Sequence, residues 1–590
     1  MQSVLALLSS FHLLTTSAHI CHENRMMPHH VAISAVTLLF TQIVSDSVNK
    51  TQLNWEPCPD FTFGDPNDQH AECVIYNAPL CHPGICQTPG WVNPTIEVFV
   101  KRFPATTEDP ATAANVWLLQ GGPGYSSTGL EPTITELHIQ LKGQANIYTI
   151  DHRGTGRSTR LFCAASETAA ARSASGSQMN SSEVSACAKE LQSQYGDLSS
   201  FSMTSAATDV AAFISKYTNG ENTTIYGGSY GTALVERIIH LDPPSVTGYV
   251  LDSVATNSGA SGDRFPYISL WDTDFGEVGD VFLNLCDKDD SCSRHFSPRN
   301  LSSTLQQIIT SFDKDPNSTC SQVLSSADVG TDILYGEPPS FSLRRILGLL
   351  VADPNLRTLI PPVIYRLDQC GSEDVKILNH LLTSLNEYVN YSDPDNAYKS
   401  MLLYYLIVFS EMWETPTRSS QIMEKRFEDT KISDGGFYEK NLLLVTNFRL
   451  KTTIQTLSFT IATTTGTRAQ QYRIKASVLL LNGKLDTQTP HKYAVSLLEV
   501  LKGTKKELIS FDYATHGIIA STPLVDGTTC GVKLLASFVE NSGDLSSLDK
   551  TCVSEVPAFN WQIPKAYLYK YLATEEPYDG VYNKSLANKN

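Results

Sequence analysis

A serine between glycines is the first residue of this chain whose setting suggests chemistry. Ser229 stands at the centre of Gly227-Gly228-Ser229-Tyr230-Gly231, which continues an apolar run at 223–227. A G-x-S-x-G sequence at a strand-to-helix turn exposes the serine hydroxyl, and the glycines leave room for the tight backbone approach. An ordinary glycine turn that contains a serine is the alternative. The pattern therefore predicts a nucleophile only if partners follow elsewhere.

A second glycine-rich stretch could supply the hydrogen-bond donors that a serine nucleophile needs. Gln120-Gly121-Gly122-Pro123-Gly124 follows the apolar run at 116–119. Acyl transfer is accelerated by N–H groups aimed at the oxyanion that develops on the substrate carbonyl. We predict that Gly122 donates one such N–H and that Tyr230, the residue after the nucleophile, donates the other. A plain glycine turn is again the alternative.

An acid and a histidine later in the chain complete the set. Asp486 follows the apolar run at 477–481, and His516 follows the run at 507–511. In the order Ser…Asp…His, the histidine removes the serine proton and the acid fixes the tautomer of the imidazole. We therefore predict Ser229, Asp486 and His516 as catalytic residues. The competing residues are Asp252 and Asp512 for the acid, and His491 and His240 for the histidine.

A polar stretch after the apolar run at 146–150 is predicted to be structural. It reads Asp151-His152-Arg153-Gly154-Thr155-Gly156-Arg157-Ser158. The stretch lacks both the G-x-G-x-x-G spacing and the lysine of nucleotide-binding loops. We expect Asp151 and His152 to hold the loop rather than to react.

The elements that carry these residues alternate between strands and helices. Short apolar runs bounded by turn residues predict strands at 95–103, 116–119, 146–150, 223–227, 248–252, 477–481 and 507–511. Apolar spacing predicts helices at 205–217 and 233–241. Continuous apolar strands that alternate with helices indicate a mostly parallel sheet covered on both faces, an α/β fold class.

The predicted secondary structure changes at about residue 257, from alternating strands and helices to mainly helices. From there to residue 470 helical patterns dominate, as at 341–351 and 400–414. Residues 471–590 contain two clear strand patterns, too few for a sheet of their own. We therefore predict one core in two parts, 47–256 and 471–590, with a helical cap inserted at 257–470. Two independent domains are the alternative.

The N-terminal region and the cysteines indicate an exported protein. The apolar stretches at 4–14 and 31–44 are each shorter than the ~18 apolar residues that span a bilayer, so residues 1–46 are expected to be a signal or targeting segment. Translation from Met26 or Met27 would keep the second stretch as the signal. The chain has 13 cysteines, and Cys21 falls in this segment. The even number that remains indicates disulfides, most simply 58/73, 81/86, 163/187, 286/292, 320/370 and 530/552.

The net charge and the short motifs limit the kinds of partner, cofactor and modification that the sequence predicts. A net charge of −17 disfavours nucleic acid and anionic membrane surfaces. The chain has neither a C-x-x-C pair nor an H-E-x-x-H motif, so no metal or cofactor is predicted, and no apolar run after residue 46 predicts a membrane span. N-glycosylation is expected at the sequons that begin at Asn49, Asn180, Asn222, Asn300, Asn317, Asn390 and Asn583.

The motifs together resemble one family. The segments "QGGPGYSS", "DHRGTGRS", "GGSYGTALVERIIHLDP", "GYVLDSV", "LLLNGKLDTQTP" and "ATHG" are similar, in this order, to those of the prolyl and tripeptidyl aminopeptidases of the α/β-hydrolase superfamily. The resemblance covers roughly Trp55 to Trp561. It implies an α/β-hydrolase fold with a large helical cap. It also implies hydrolysis of peptides near the free N-terminus. The N-terminal segment, the cysteines and the sequons predict that the enzyme is secreted, or alternatively vacuolar or lysosomal.

The resemblance further implies a carboxylate in the cap that pairs with the ammonium group of the substrate. Glu411 is the predicted residue, with Glu414 behind it; a solvated acid on a helix is the alternative. The family often has histidine at the position of Gln120, so the oxyanion loop must be held differently here. Cys530 and Cys552 match a cysteine pair that is common in the family.

Three other functions stay open. Serine carboxypeptidases share the order Ser…Asp…His, although Gly228 stands where they have glutamate. An esterase or lipase would use the same three residues. A catalytically inactive fold used for binding is the third, and the complete set of Ser229, Asp486 and His516 disfavours it.

Overall fold

The computed structural model describes residues 53–163, 184–256, 264–325, 337–389, 394–436 and 476–587. The expected signal segment 1–46 and the sequons at Asn49, Asn180 and Asn390 lie outside these residues. Among the described helices, none combines the length and the apolar character needed to cross a membrane.

The described strands form one sheet. They are β1 Glu56–Cys58, β2 Ala71–Pro79, β3 Thr95–Phe103, β4 Ala114–Leu119, β5 Ala145–Asp151, β6 Thr223–Gly228, β7 Val246–Asp252, β8 Ser477–Gly483 and β9 Lys506–Phe511. Their order is β1-β2-β3-β5-β4-β6-β7-β8-β9. In this order, the first three pairs, β1–β2, β2–β3 and β3–β5, are antiparallel. The other five pairs, β5–β4, β4–β6, β6–β7, β7–β8 and β8–β9, are parallel. Every predicted strand is confirmed, and β1 and β2 are additional.

Helices follow the parallel strands and fill the insertion. They are α1 Glu131–Gln140, α2 Val184–Tyr195, α3 Met203–Tyr217, α4 Tyr230–Leu241, α5 Trp271–Cys286, α6 Asp290–Ser293, α7 Leu301–Lys314, α8 Thr319–Ser325, α9 Pro339–Ala352, α10 Ile360–Gln369, α11 Ser372–Val389, α12 Met401–Glu411, α13 Ser420–Glu428, α14 His491–Val500, α15 Ile518–Ser521, α16 Cys530–Glu540 and α17 Lys565–Tyr567. Both predicted helices of the core are confirmed, as α3 and α4.

Strand β4 shows why the central strands have no polar face. Trp117 and Leu119 pack in the apolar cluster that contains α3 and α4. Val116 and Leu118 point to the opposite side and pack with α1 and α16. Because helices cover both faces of the sheet, successive side chains are all buried and the strand is continuously apolar.

The cap lies between β7 and β8 in the described chain and is helical, as predicted. Helices α5 and α7 to α11 share an apolar cluster of their own. Helix α12 differs, since its apolar side chains from Leu402 to Phe409 pack in the cluster of the core. In the final stretch of the chain, Trp561, Leu568 and Tyr571 pack in the same cluster as the cap helices.

Disulfides join the cysteines that are neighbours in the sequence. The pairs are Cys58–Cys73, Cys81–Cys86, Cys163–Cys187, Cys286–Cys292, Cys320–Cys370 and Cys530–Cys552. The sequential pairing expected from the sequence is confirmed.

Candidate active site

Ser229 occupies the turn between β6 and α4. Its φ of 54° and ψ of −126° lie outside the regions that non-glycine residues normally adopt. Such backbone strain is concentrated at functional sites and is the expected conformation of a nucleophile at a strand-to-helix turn. A Cβ at Gly227 would come within 2.3 Å of the carbonyl oxygen of Gly231, and one at Gly231 within 2.4 Å of that of Leu119. The glycines of the motif are therefore required by close backbone packing.

The loop after β4 passes directly beside this serine. A Cβ added at Gly121 would lie 3.0 Å from the Cβ of Ser229 and 3.5 Å from its Oγ. Gly122 has a φ of 122°, a conformation suited to glycine. Tyr230 is the first residue of α4, and the N–H groups of a first helical turn have no acceptor within the helix. The two predicted oxyanion donors thus belong to adjoining segments of backbone.

Gln120 shows how the loop is held without a histidine. Its side-chain Oε1 accepts the backbone N–H of Gly121 at 2.8 Å. This contact fixes the direction in which the loop leaves β4. The sequence indicated only that the loop must be held differently here.

Asp486 and His516 are directly paired. The Nδ1 of His516 lies 3.0 Å from each carboxylate oxygen of Asp486. Asp486 is fully buried, and its Oδ1 also accepts the backbone N–H groups of Gln488 and Thr489, at 3.0 and 2.9 Å. The Thr489 hydroxyl donates to Oδ2 at 2.7 Å. The carboxylate is therefore oriented toward the imidazole by its own loop.

Electrostatics favour the charged forms of this pair. Burial of the ring lowers the pKa of His516, but the neighbouring Asp486 carboxylate more than offsets this, so the pKa is raised above its ordinary value. Burial raises the pKa of Asp486, while the charge of His516 and the hydrogen bonds from His516 and Thr489 bring it below its ordinary value. The His516 side chain is 20% exposed, so the ring reaches solvent on one side.

Asp252, the competing acid, has different partners. Its carboxylate accepts the backbone N–H groups of Ile518 and Ile519, at 2.7 and 2.8 Å, and the hydroxyl of Tyr226 at 2.8 Å. Burial raises its pKa, partly offset by these hydrogen bonds. These donors bind the carboxylate oxygens of Asp252, whereas Asp486 binds the Nδ1 of His516. The geometry therefore favours Asp486 over Asp252 as the acid that orients the imidazole.

The remaining competitors are also engaged elsewhere. Asp512 forms an exposed ion pair with Lys484 at 2.7 Å. The Nε2 of His491 lies 2.7 Å from the Ser510 hydroxyl. His240 lies in the last turn of α4, where burial and then the charge of Arg237 lower its pKa to about 3.

Asp151 holds the polar stretch 151–158 in place, as predicted. The Oδ1 of Asp151 accepts both the backbone N–H and the hydroxyl of Ser127 at 2.7 Å, and its Oδ2 accepts the backbone N–H of Arg157 at 2.8 Å. His152 is buried, its pKa is lowered to about 4 by burial, and its ring lies 5.7 Å from that of Tyr230. Asp151 therefore ties this loop to the end of the oxyanion loop.

Glu411 ends α12 and contacts the first residue of α3. Its Oε1 accepts the backbone N–H of Met203 at 2.9 Å. Burial raises its pKa, while the charge of Arg237 and the Met203 hydrogen bond partly offset this. The carboxylate in turn contributes, after burial, to the raised pKa of Tyr230. Glu411 therefore lies near the buried phenol of Tyr230, a residue of the helix that begins directly after Ser229.

Glu414 is differently placed. Its carboxylate accepts hydrogen bonds from Arg426 at 2.6 Å and from the Ser269 hydroxyl at 2.9 Å. It also accepts from Arg418 at 3.3 Å. These partners lower its pKa overall, although burial alone would raise it. Two arginines already neutralise this acid, which leaves Glu411 as the candidate residue for binding the substrate amine.

The predicted glycosylation sites within the described residues are Asn222, Asn300, Asn317 and Asn583, and all four side chains are exposed. Asn300 also caps α7, where its Oδ1 accepts the backbone N–H of Ser303 at 2.8 Å. Glycosylation remains a prediction.

One group in the described chain has the composition of a metal site. The ligand atoms of Asp60, Asp68 and His70 lie within 4.8 Å of one another. The His70 side chain is 78% exposed, and its Nδ1 lies 2.9 Å from Asp60 and 2.8 Å from Asp68. These contacts describe ion pairs at the surface, and no reaction step is assigned to them.

The strand order and the loops define the fold class. The parallel strands β6, β8 and β9 lead into the loops of Ser229, Asp486 and His516, so these residues lie at the same edge of the sheet. The chain has the α/β-hydrolase fold, as predicted.

Comparisons with known proteins find matches among solved structures only. Neither a family model nor a curated protein matches the chain. Among solved structures, an esterase (EaEST) from Exiguobacterium antarcticum is 12% identical with a TM-score of 0.27, over 72% of this chain and 91% of that one. A monoacylglycerol lipase from Paleococcus ferrophilus is 16% identical with a TM-score of 0.24, over 72% and 91%. Mouse alpha/beta hydrolase domain-containing protein 10 is 8% identical with a TM-score of 0.28, over 79% and 97%. These TM-scores are too low for the likenesses to support an argument about this chain.

Proposed function

We propose that the protein is a secreted or vacuolar serine hydrolase that cleaves peptide bonds near a free N-terminus, as prolyl and tripeptidyl aminopeptidases do. The observation that carries the proposal is the Asp486–His516 hydrogen bond at the edge of the sheet where the strained turn presents Ser229. Six disulfides support export, because such bonds persist in oxidising compartments.

The chemistry proceeds in two halves. In the first, the Oγ of Ser229 attacks the substrate carbonyl carbon while His516 takes the serine proton. The carbonyl oxygen becomes an oxyanion that accepts hydrogen bonds from the backbone N–H groups of Gly122 and Tyr230. Collapse of this intermediate breaks the C–N bond, and His516 passes its proton to the leaving amine. The N-terminal fragment is then an ester on Ser229.

In the second half, water replaces the amine. His516 takes a proton from the water as the water oxygen attacks the ester carbonyl, and the same N–H donors hold the oxyanion. The C–O bond to Ser229 breaks, His516 returns the proton to the serine oxygen, and the acid product leaves. Throughout, Asp486 holds the imidazole tautomer and stabilises the imidazolium.

Specificity for a free N-terminus is assigned to Glu411. A charge-assisted hydrogen bond from the substrate ammonium to this carboxylate would fix the distance between the N-terminus and the cleaved bond. Its position near Tyr230 and its partial exposure support the assignment. Burial raises its pKa, so a positive ligand would also stabilise its ionised form.

The test compares substrates on the intact protein. Wild type should react with an active-site fluorophosphonate and hydrolyse dipeptide- and tripeptide-arylamides with free amines. It should reject the N-acetylated forms. Preference for peptides with a free C-terminus would instead establish a carboxypeptidase, and preference for p-nitrophenyl esters an esterase or lipase. Failure to react with the fluorophosphonate would favour a binding protein.

A further inference from the structure

A short part of the cap, residues 394–400, lies against the oxyanion loop. The backbone N–H of Ser400 donates to the carbonyl oxygen of Gly124 at 2.8 Å. Gly124 has a φ of 95°, and a Cβ added to it would lie 2.3 Å from the carbonyl oxygen of Ser400. The two backbones are therefore in direct contact, two residues after the candidate oxyanion donor Gly122.

A side chain of the same segment binds the far end of the loop. The Oδ1 of Asp395 accepts the hydroxyl of Ser126 at 2.9 Å and also the hydroxyl of Thr128. Ser126 and Thr128 stand just before and within the helical turn Ser127–Leu130 that ends the loop. One carboxylate oxygen thus joins two residues of the loop to the cap.

The segment is itself fixed from its other side. The carbonyl oxygen of Tyr398 accepts the backbone N–H of Gly156 at 2.9 Å, and the Ser400 hydroxyl donates to the carbonyl oxygen of Leu161 at 2.6 Å. The Thr155 hydroxyl connects the oxyanion loop with the segment, because it is within hydrogen-bonding distance of the carbonyl oxygens of Gly124, at 2.9 Å, and of Tyr398, at 3.3 Å. Segment 394–400 therefore lies between the oxyanion loop and the chain formed by the polar stretch 151–158 and the residues that directly follow it, to Leu161.

The oxyanion loop is rich in glycine, so contacts from outside the loop are needed to keep its N–H donors in place. Three of the five residues in its first part, Gln120 to Gly124, are glycine, which loses the most conformational entropy when it is ordered. Gln120 holds only the N–H of Gly121, at the first end of the loop. An oxyanion donor is effective only when it is preorganised, and a displacement of about 1 Å can cost about 100-fold in rate.

We propose that Asp395 is a positioning residue for the oxyanion hole, which holds the loop of Gly122 through Ser126 and Thr128. The inference rests on the proposed function, since it concerns the donors of that reaction. Through Asp395, the cap then contributes to the chemical step, because it holds the backbone of the oxyanion loop in the core.

The test uses three variants of the full chain. Asp395→Ala removes the acceptor, and Asp395→Asn keeps an oxygen that can accept from both hydroxyls. Asn396→Ala is the matched control, because Asn396 is exposed in the same segment and its side chain contacts Lys399 rather than the loop. Asp395→Ala should lower kcat on an arylamide by about 10- to 100-fold with KM changed less than about threefold. Asp395→Asn should recover most of this loss, and Asn396→Ala should resemble wild type.

Two further measurements separate positioning from general damage. A peptide aldehyde forms an oxyanion on Ser229, so Asp395→Ala should weaken its binding by the same factor as kcat, while a non-cleavable ground-state peptide should bind as to wild type. Hydrogen exchange of residues 120–128 should be faster in Asp395→Ala than in Asn396→Ala. Unchanged exchange, or a loss confined to KM, would overturn the inference. Failure of wild type to react with the fluorophosphonate would contradict the proposed function and the catalytic part of the inference, and the exchange experiment would still decide whether Asp395 orders the loop.

Discussion

Asp252 accepts the backbone N–H of Ser229 through its own carbonyl oxygen, at 2.9 Å. Its carboxylate at the same time accepts the backbone N–H groups that follow His516, those of Ile518 and Ile519. One residue at the end of β7 therefore connects the turn of the nucleophile with the loop of the histidine. This connection accounts for a buried carboxylate that is not paired with the imidazole.

Asp252→Asn should accordingly destabilise the protein more than it impairs the chemical step. The amide cannot accept all the N–H donors that the carboxylate accepts, and a buried donor left without a partner costs about 1–3 kcal/mol. We expect a lower melting temperature, and a loss of kcat well below that of Asp486→Asn, both measured on the same preparations. A crippling effect of Asp252→Asn together with a mild effect of Asp486→Asn would show that the acid is wrongly assigned.

Asp486→Asn should lower kcat by about 10⁴-fold, because the amide favours the wrong tautomer of His516. It should also move the pH dependence. His516 must be neutral to act as a base and its pKa is raised, so the activity of wild type should rise with pH through a value above 6.5. Without the carboxylate, burial lowers that pKa, so the rise should shift to lower pH. A profile of kcat/KM against pH for both proteins measures this, and an unshifted profile would contradict the pairing.

Ser229→Ala should lower kcat by roughly 10⁶-fold, because the nucleophile acts only in the chemical step. The variant should fold, bind substrate as wild type does, and fail to react with the fluorophosphonate. Binding of a non-cleavable peptide and thermal unfolding provide the controls. Residual labelling of the variant at full rate would place the nucleophile elsewhere.

The sequence predicted best what depends on local pattern. Each continuous apolar strand and the G-x-S-x-G turn are determined by neighbouring residues, so their periodicity and spacing were sufficient. Strand β1 has only three residues, of which two are exposed and one is half-buried, and β2 has a mixed burial pattern. Neither strand stands out in the sequence from the surrounding loops. The double role of Asp252 depends on β7 lying between β6 and β8 in the sheet, an arrangement that spacing along the chain does not reveal.

The choice between Glu411 and Glu414 shows the same limit. Both are acids at the end of one apolar pattern, and only the packing of α12 against the core separates them. Arg426, which neutralises Glu414, comes from the next helix. The packing of Trp561 on the cap is likewise a long-range contact that the local sequence does not reveal.

The disulfides should be present and stabilising in the mature protein. All twelve cysteines from Cys58 to Cys552 are paired, so thiol titration of protein that lacks residues 1–46, under denaturing, non-reducing conditions, should find almost none. A native disulfide typically contributes ~2–4 kcal/mol, and reductant should lower the melting temperature. Several free thiols per chain would remove the case for an oxidising compartment.

Glu411→Gln tests how the free N-terminus is recognised. If the carboxylate pairs with the substrate ammonium, its loss removes a charge-assisted hydrogen bond of about 1.5–3 kcal/mol, and kcat/KM for free-amine peptides should fall roughly 10- to 150-fold. Hydrolysis of a small neutral ester should stay near wild type, because Ser229 and His516 are untouched. Glu414→Gln is the matched control, since it loses the ion pair with Arg426 and should affect stability without changing the ratio of peptide to ester hydrolysis. Equal loss of both activities in Glu411→Gln would mean that Glu411 supports the fold through Met203. Cleavage of N-acetylated peptides by wild type as fast as free ones would contradict the aminopeptidase function itself.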